Sequence, residues 1–180
     1  MKKSYSFLLR AGLAFFAVAS VASAAVKLPS ILGSHMVLQQ GEPVPVWGWA
    51  DPGEEVTVTF HDAKVSAKAG KDGKWQVKLP ASKANPKGAD LVVKGSNEIK
   101  LEDILVGEVW LCSGQSNMEW TVSRSANAKE EIANGKHPLI RHVKVPRKLS
   151  LTPQDDVQTG GWQVCSPSTV ANFTAVGYYF

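Results

Sequence analysis

The sequence predicts a β + α/β protein, with an antiparallel β-sandwich over residues 25–105 and the truncated start of an α/β domain over residues 106–180. Three observations carry that reading. Residues 44–104 keep a period of two that Gly, Pro, Asn and Asp interrupt at short intervals, which is the pattern of half-buried antiparallel strands. After Leu105 a nearly unbroken apolar run surrounds Glu108, as in a strand covered on both faces. Helix-like and strand-like segments then alternate, which is the order of layered α/β folds.

Ahead of these lies an export signal. Met1-Lys2-Lys3 and Arg10 precede an apolar stretch from Ala11 to Val21, and Ala22-Ser23-Ala24 supplies the small residues of a cleavage site, so residues 1–24 read as a secretory signal peptide. The apolar stretch is roughly half of the ~20 residues that a spanning helix needs, and no later segment is long and apolar enough to stop transfer. The expected location is secreted or periplasmic, with no membrane attachment after cleavage. Removing Lys2, Lys3 and Arg10 from the 20 basic residues leaves 17 against 16 acidic ones. The lysines that remain are scattered among Asp and Glu, so no nucleic-acid partner is expected.

Within the β portion, Val56, Val58 and Phe60 alternate with Thr57 and Thr59. Val65, Ala67 and Ala69 repeat the alternation, and it resumes at Trp75, Val77 and Leu79 after Asp72-Gly73, a dipeptide suited to a two-residue hairpin turn. Asp51-Pro52-Gly53 and Asn85-Pro86-Lys87-Gly88 read as further turns. Leu91 with Val93, and Ile99 with Leu101, mark two more strands.

In the second portion, Val106 to Cys112 reads as a strand and Ser125 to Asn134 as a helix stopped by Gly135. Ile140 to Val145 and Trp162 to Cys165 read as extended, and Ser168 or Thr169 caps a last helix through Val170, Phe173, Ala175 and Val176. This portion holds about 75 residues, below the usual ~100–150 of a domain, and closes on the uncapped apolar Tyr178-Tyr179-Phe180. The expectation is a truncated chain whose domain is missing its C-terminal part.

Chemistry concentrates in Gly107 to Trp120. A buried strand enters a tight Gly-containing turn, and Ser116 stands where a helix would begin, a geometry that lifts a hydroxyl clear of a sheet and sets backbone N–H groups beside it. Met118 occupies the place of the last glycine of a G-x-S-x-G elbow, so spacing alone also admits a plain turn serine. Cys112 and Cys165 lie at the ends of expected strands in a protein bound for an oxidising compartment. They read either as a disulfide or as two small buried apolar residues.

The run Val106-Gly107-Glu108-Val109-Trp110 joined to Ser113-Gly114-Gln115-Ser116-Asn117-Met118 resembles the nucleophile block of the sialate O-acetylesterases, members of the SGNH (GDSL-like) hydrolases. Upstream, Met36-Val37-Leu38-Gln39, Pro43 to Ala50 and Asp72-Gly73-Lys74-Trp75 are similar to that family's N-terminal β domain. Downstream, Trp162 with Cys165-Ser166-Pro167, and Phe173 to Tyr178, are similar as well.

The resemblance implies a flavodoxin-like SGNH hydrolase domain and a serine esterase acting on acetylated carbohydrates. Ser116 would be its nucleophile and an oxyanion donor through its own N–H, with Gly114, Gln115 and Asn117 as the supporting loop. It implies no metal and no organic cofactor. The superfamily takes its base from a late D-x-x-H motif, and none of the seven aspartates here has a histidine three positions on. His35, His61, His137 and His142 lie in the β portion or in early loops and strands, where surface or packing roles are expected. Little or no turnover is therefore expected of this chain alone, because loss of triad members lowers rates by roughly 10⁴ to 10⁶. The alternative is a secreted carbohydrate-binding or structural β-module without catalysis. Trp47, Trp49 and Trp75 offer either a sugar-stacking platform or core, with Trp47 and Trp49 sharing one face. Asn172-Phe173-Thr174 fits a glycosylation sequon, although its apolar neighbours favour packing.

Overall fold

The computed structural model describes residues 25–180, and the expected signal peptide lies outside the described residues. Its first part is built from strands β1 (Val37–Gln39), β2 (Val44–Trp49), β3 (Glu55–Phe60), β4 (Ala63–Lys68), β5 (Lys74–Leu79), β6 (Asn85–Lys94) and β7 (Glu98–Gly107). Five of these form a mixed sheet in the order β1-β7-β6-β3-β4, in which only the β1–β7 pair is parallel. Strands β2 and β5 pair antiparallel as a separate two-stranded sheet.

The period of two explains the core. Val56, Val58 and Phe60 of β3 point inward with Leu91 and Val93 of β6, while the threonines between them face out. Val46 of β2 and Trp75, Val77 and Leu79 of β5 turn their buried face to the same apolar cluster, so both sheets share one core. Gly48 sits directly opposite Trp75 in the β2–β5 ladder. Any Cβ there would overlap the backbone oxygen of Lys27, whose N–H and C=O both bond to Trp49.

Asp72-Gly73 does not close the hairpin that alternation suggests. Gly73 alone has the positive φ, at 74°, and the turn carries the chain from β4 in one sheet to β5 in the other. The tight hairpin is instead β3–β4, joined by His61-Asp62, with His61 at φ 49°. Alternation orients side chains toward the core but says nothing about which neighbour supplies the ladder, which is why the two arrangements look alike in sequence.

Asn85 to Gly88 is likewise not a free turn but an irregular start to β6. Between the pairs Asn85↔Val106 and Ala89↔Ile104, three residues of β6 oppose one of β7, and Pro86 with its missing N–H falls in that excursion. Further along, Glu102 and Asp103 together oppose Asp90, a β-bulge in which Asp103 takes φ 57°.

The second part contains helix α1 (Ala128–Asn134), a hairpin of β8 (His137–His142) with β9 (Gln163–Cys165), and helix α2 (Ala175–Tyr179). Gly135 stands just past α1, as its sequence position suggests. The extended segment expected at residues 140–145 begins earlier, because pairing with β9 starts at His137↔Cys165. The last helix is broken into a 3₁₀ turn at Val170–Asn172 and α2, since Phe173 and Thr174 are drawn into extended pairing with residues 120–122. Val122, Cys165, Val170, Phe173 and Ala175 form a second, smaller core.

Polar contacts bind the parts together, these among them. Trp162 Nε1 donates to the Ile31 carbonyl at 2.8 Å, and Thr159 Oγ1 donates to the Ser30 carbonyl at 2.9 Å. Arg141 Nη1 meets Asp103 Oδ2 at 2.7 Å, and His35 Nδ1 meets the same oxygen at 2.8 Å.

Candidate functional site

Strand β7 delivers the chain to the candidate nucleophile, but it ends sooner than the apolar run suggests. Pairing with β1 stops at Gly107, and Val109, Trp110 and Leu111 are exposed rather than covered on two faces. Among the described residues no further strand pairs with 108–112, so its backbone forms no ladder.

What holds this segment is a polar clasp. The Glu108 carboxylate accepts from Gln39 Nε2 at 3.0 Å and from Gln40 Nε2 at 2.5 Å, and Val109 N–H donates to Gln39 Oε1 at 2.9 Å. Those donors hold the Glu108 carboxyl below the usual carboxylate range, with the Gln39 bond the larger cause. Gln40 Oε1 also accepts from Ala84 N–H at 3.1 Å, which extends the clasp into the β-rich part.

Gly114 follows at φ 151°, a backbone that side chains rarely adopt, and Ser116 opens a 3₁₀ turn over Ser116–Glu119. The Ser116 side chain is exposed. Met118 N–H bonds back to the Gln115 carbonyl at 2.9 Å and Trp120 N–H to the Asn117 carbonyl at 3.1 Å. The N–H groups of Ser116 and Asn117 have no acceptor among the described residues, so two donors stand beside the hydroxyl without an internal partner. Gln115 and Asn117 support the loop through their backbone carbonyls, not through their side-chain amides.

Helix α2 flanks the serine turn. Ala175 N–H donates to the Trp120 carbonyl at 2.8 Å, Trp110 meets Phe180 edge-on at 5.0 Å, and Gly177 lies so close to Cys112 Sγ that a Cβ would stand only 2.7 Å from the sulfur. Trp120 Nε1 donates to the Arg124 carbonyl at 2.9 Å. Arg147 Nε donates to Glu119 Oε1 at 2.8 Å and holds that exposed carboxyl below its ordinary range.

The two cysteines are not bonded to each other. Cys112 is an exposed free thiol against Gly177, and Cys165 is buried in the second core, where burial pushes its pKa up. Cys165 therefore fits the reading of a small buried apolar residue. Among the described residues no histidine bonds to Ser116. His35 pairs with Asp103, His61 turns the β3–β4 hairpin against Phe60, and His137 lies near Tyr178. His142 stacks on Phe173 at 4.2 Å, and burial lowers its pKa.

Trp75 is core at 3% exposure, whereas Trp47 and Trp49 lie half-buried on the opposite face of the β2–β5 sheet. In the Asn172-Phe173-Thr174 triplet Phe173 is buried and Asn172 exposed. Sequence reasoning missed the Glu108 clasp and the Asp103–Arg141 pair. A lone carboxylate inside the apolar run was the available signal for the first, because a charge so placed needs partners. For Asp103 the sequence held no comparable sign.

No family model matches the chain. It is 34% identical over 120 residues to the sialate O-acetylesterase of Homo sapiens and 35% identical over 122 residues to that of Mus musculus. The alignments take in 60% of this chain but only 23% and 22% of those proteins, so the chain spans less than a quarter of their length. A carbohydrate acetylesterase from Xanthomonas citri superposes with a TM-score of 0.83 at 38% identity, covering 86% of this chain and 36% of that one. The mostly-sheet architecture, with one curled mixed sheet and few helices, is thus close to a carbohydrate acetylesterase fold. Over the part it spans, the chain is thus similar in sequence to the sialate O-acetylesterases and in fold to a carbohydrate acetylesterase.

Proposed function

We propose that the chain is the nucleophile-bearing part of a secreted serine esterase that removes O-acetyl groups from sialic acid or related carbohydrates. One observation carries the reading: an exposed Ser116 hydroxyl on a glycine-bent turn, with the unpaired N–H groups of Ser116 and Asn117 beside it. In the proposed reaction, Ser116 Oγ attacks the acetyl carbonyl carbon as its proton passes to a base, and the two N–H groups stabilise the oxyanion. Collapse expels the sugar oxygen, which takes up that proton, and water then releases acetate from the acetyl-serine.

The base is assigned to polypeptide beyond residue 180, because none of the four histidines reaches the hydroxyl among the described residues. On this reading residues 25–105 are a β-sandwich and residues 106–180 begin a flavodoxin-like SGNH domain. The apolar core shared by the two β sheets supports the former, and the passage from β7 straight into the serine turn supports the latter. Residues 1–24 then direct the protein to the periplasm or the exterior.

The test is acetate release from O-acetylated sialic acid by the protein expressed from its whole reading frame. Ser116→Ala should reduce it by about 10⁴-fold or more while the melting temperature stays within a few degrees. Unchanged release in that variant, or a whole frame without an Asp-x-x-His motif, would overturn the reading.

A further inference from the structure

We infer that the outer face of the β2–β5 sheet is a binding site for a carboxylate-bearing pyranose, built independently of the serine turn. A hollow of about 400 Å³ opens there, lined by Trp47 and Trp49 from β2, Lys74 and Gln76 from β5, Lys68 from the end of β4, and Asp155. None of its lining residues belongs to the segment from Ser113 to Glu119.

The register builds the site. Trp47 and Trp49 are two apart on one strand, so both indoles emerge on the same face, and the ladder sets Gln76 opposite Trp47 and Lys74 opposite Trp49. Two half-buried indoles side by side present flat, polarisable surface, which suits the apolar C–H face of a sugar ring. The polar groups around them can meet hydroxyls: an amide at Gln76, and an ammonium held to a carboxylate where Lys74 Nζ meets Asp155 Oδ1 at 3.0 Å. A volume of this size lies within the range of small-molecule sites.

Charge selects the kind of sugar. Lys68, Lys74 and Asp155 leave one positive charge in excess on the lining, and Lys68 makes no ion pair among the described residues. Glu55 stands across the ladder from Lys68 but neither bonds to it nor lines the hollow. A protein-binding surface built on two tryptophans would be flanked by further apolar side chains, whereas this pair is ringed by Lys68, Lys74, Gln76 and Asp155. An anionic ring is the complementary partner.

The experiment is calorimetric or saturation-transfer titration of this chain with N-acetylneuraminate and glucuronate, and with glucose as the neutral control. The acidic sugars are expected to bind with millimolar affinity that weakens as salt is raised, several-fold more tightly than glucose. Trp47→Ala and Trp49→Ala should each weaken both acidic sugars by about tenfold, and Trp47→Phe should restore most of the loss. Lys68→Ala should abolish the preference for acidic over neutral sugar, and Ser116→Ala should bind as the parent does. No binding of any sugar overturns the inference, as does binding that the tryptophan variants leave unchanged while their circular dichroism and melting match the parent. Loss of binding in Ser116→Ala places the sugar at the serine and also overturns it. The esterase reading is judged separately by acetate release, so failure of one leaves the other standing.

Discussion

Asp103 joins the two parts of the molecule through a single oxygen, and it does so from a backbone that a non-glycine residue seldom adopts. Arg141, whose side chain is only 5% exposed, and His35 both bond Asp103 Oδ2, and the Arg141 bond is the main reason that the carboxyl is held below its ordinary range. Replacing it by Asn would leave a buried guanidinium without its counter-charge, so Asp103→Asn should destabilise by about 1–2 kcal/mol in urea titration at neutral pH. A carboxylate with a lowered folded pKa adds stability in full above its unfolded value near about 3.9, and that stability is lost as pH falls through the folded value. The gap between variant and parent should therefore close in strong acid; a gap that stays constant from neutral to strongly acid pH would refute the pairing. At this same scale Ser116 was legible in advance, since a serine after a glycine turn is a local pattern. Its unpaired neighbouring N–H groups were not, because hydrogen-bond satisfaction depends on where the rest of the chain passes.

Among the elements, β2 and β5 show how a ladder is chosen. Alternation correctly placed Trp75, Val77 and Leu79 inward, but it joined β5 to β4, where the fold joins β5 to β2. The deciding residue is Gly48, whose missing side chain admits both the Lys27 strand edge and the Trp75 ring. Gly48→Ala should destabilise by about 3 kcal/mol and lower the melting midpoint by about 5–10 °C, a far larger effect than Gly41→Ala, where φ is positive but the space is open. Equal effects at the two positions would show that close approach is not what requires Gly48. The segment from Glu108 to Cys112 carries the complementary lesson. Its apolar run predicts a doubly covered strand, yet a strand also needs a paired neighbour, and among the described residues none continues the ladder past Gly107.

The whole molecule rests on two apolar clusters of unequal size, one shared by the β2–β5 and five-stranded sheets and one under β9 and α2. Val58 lies at 0% exposure in the first and Phe173 at 2% in the second. Val58→Ala should destabilise globally, by about 2–3 kcal/mol, and raise amide exchange across β3, β4 and β6 together. Phe173→Ala should raise exchange in the Val122, α1, β8 and α2 regions while leaving the β-rich part protected. It should also move the His142 pKa back up, because burial under that ring lowers it. Loss of protection in both parts from Phe173→Ala would mean that the clusters unfold as one unit.

Sequence alone determined the inward faces of β3 and β5 and the place of a serine just after a glycine turn, because periodicity and short-range turn chemistry are properties of neighbouring residues. Only the tertiary structure decided that β5 pairs with β2, that Glu108 is clasped by Gln39 and Gln40, that Asp103 meets Arg141, and that the two cysteines stand apart. Each of those contacts joins residues about 25 or more positions apart in the chain, or else leaves such a pair unjoined. Their partners are selected by how the two cores pack, which no local window contains.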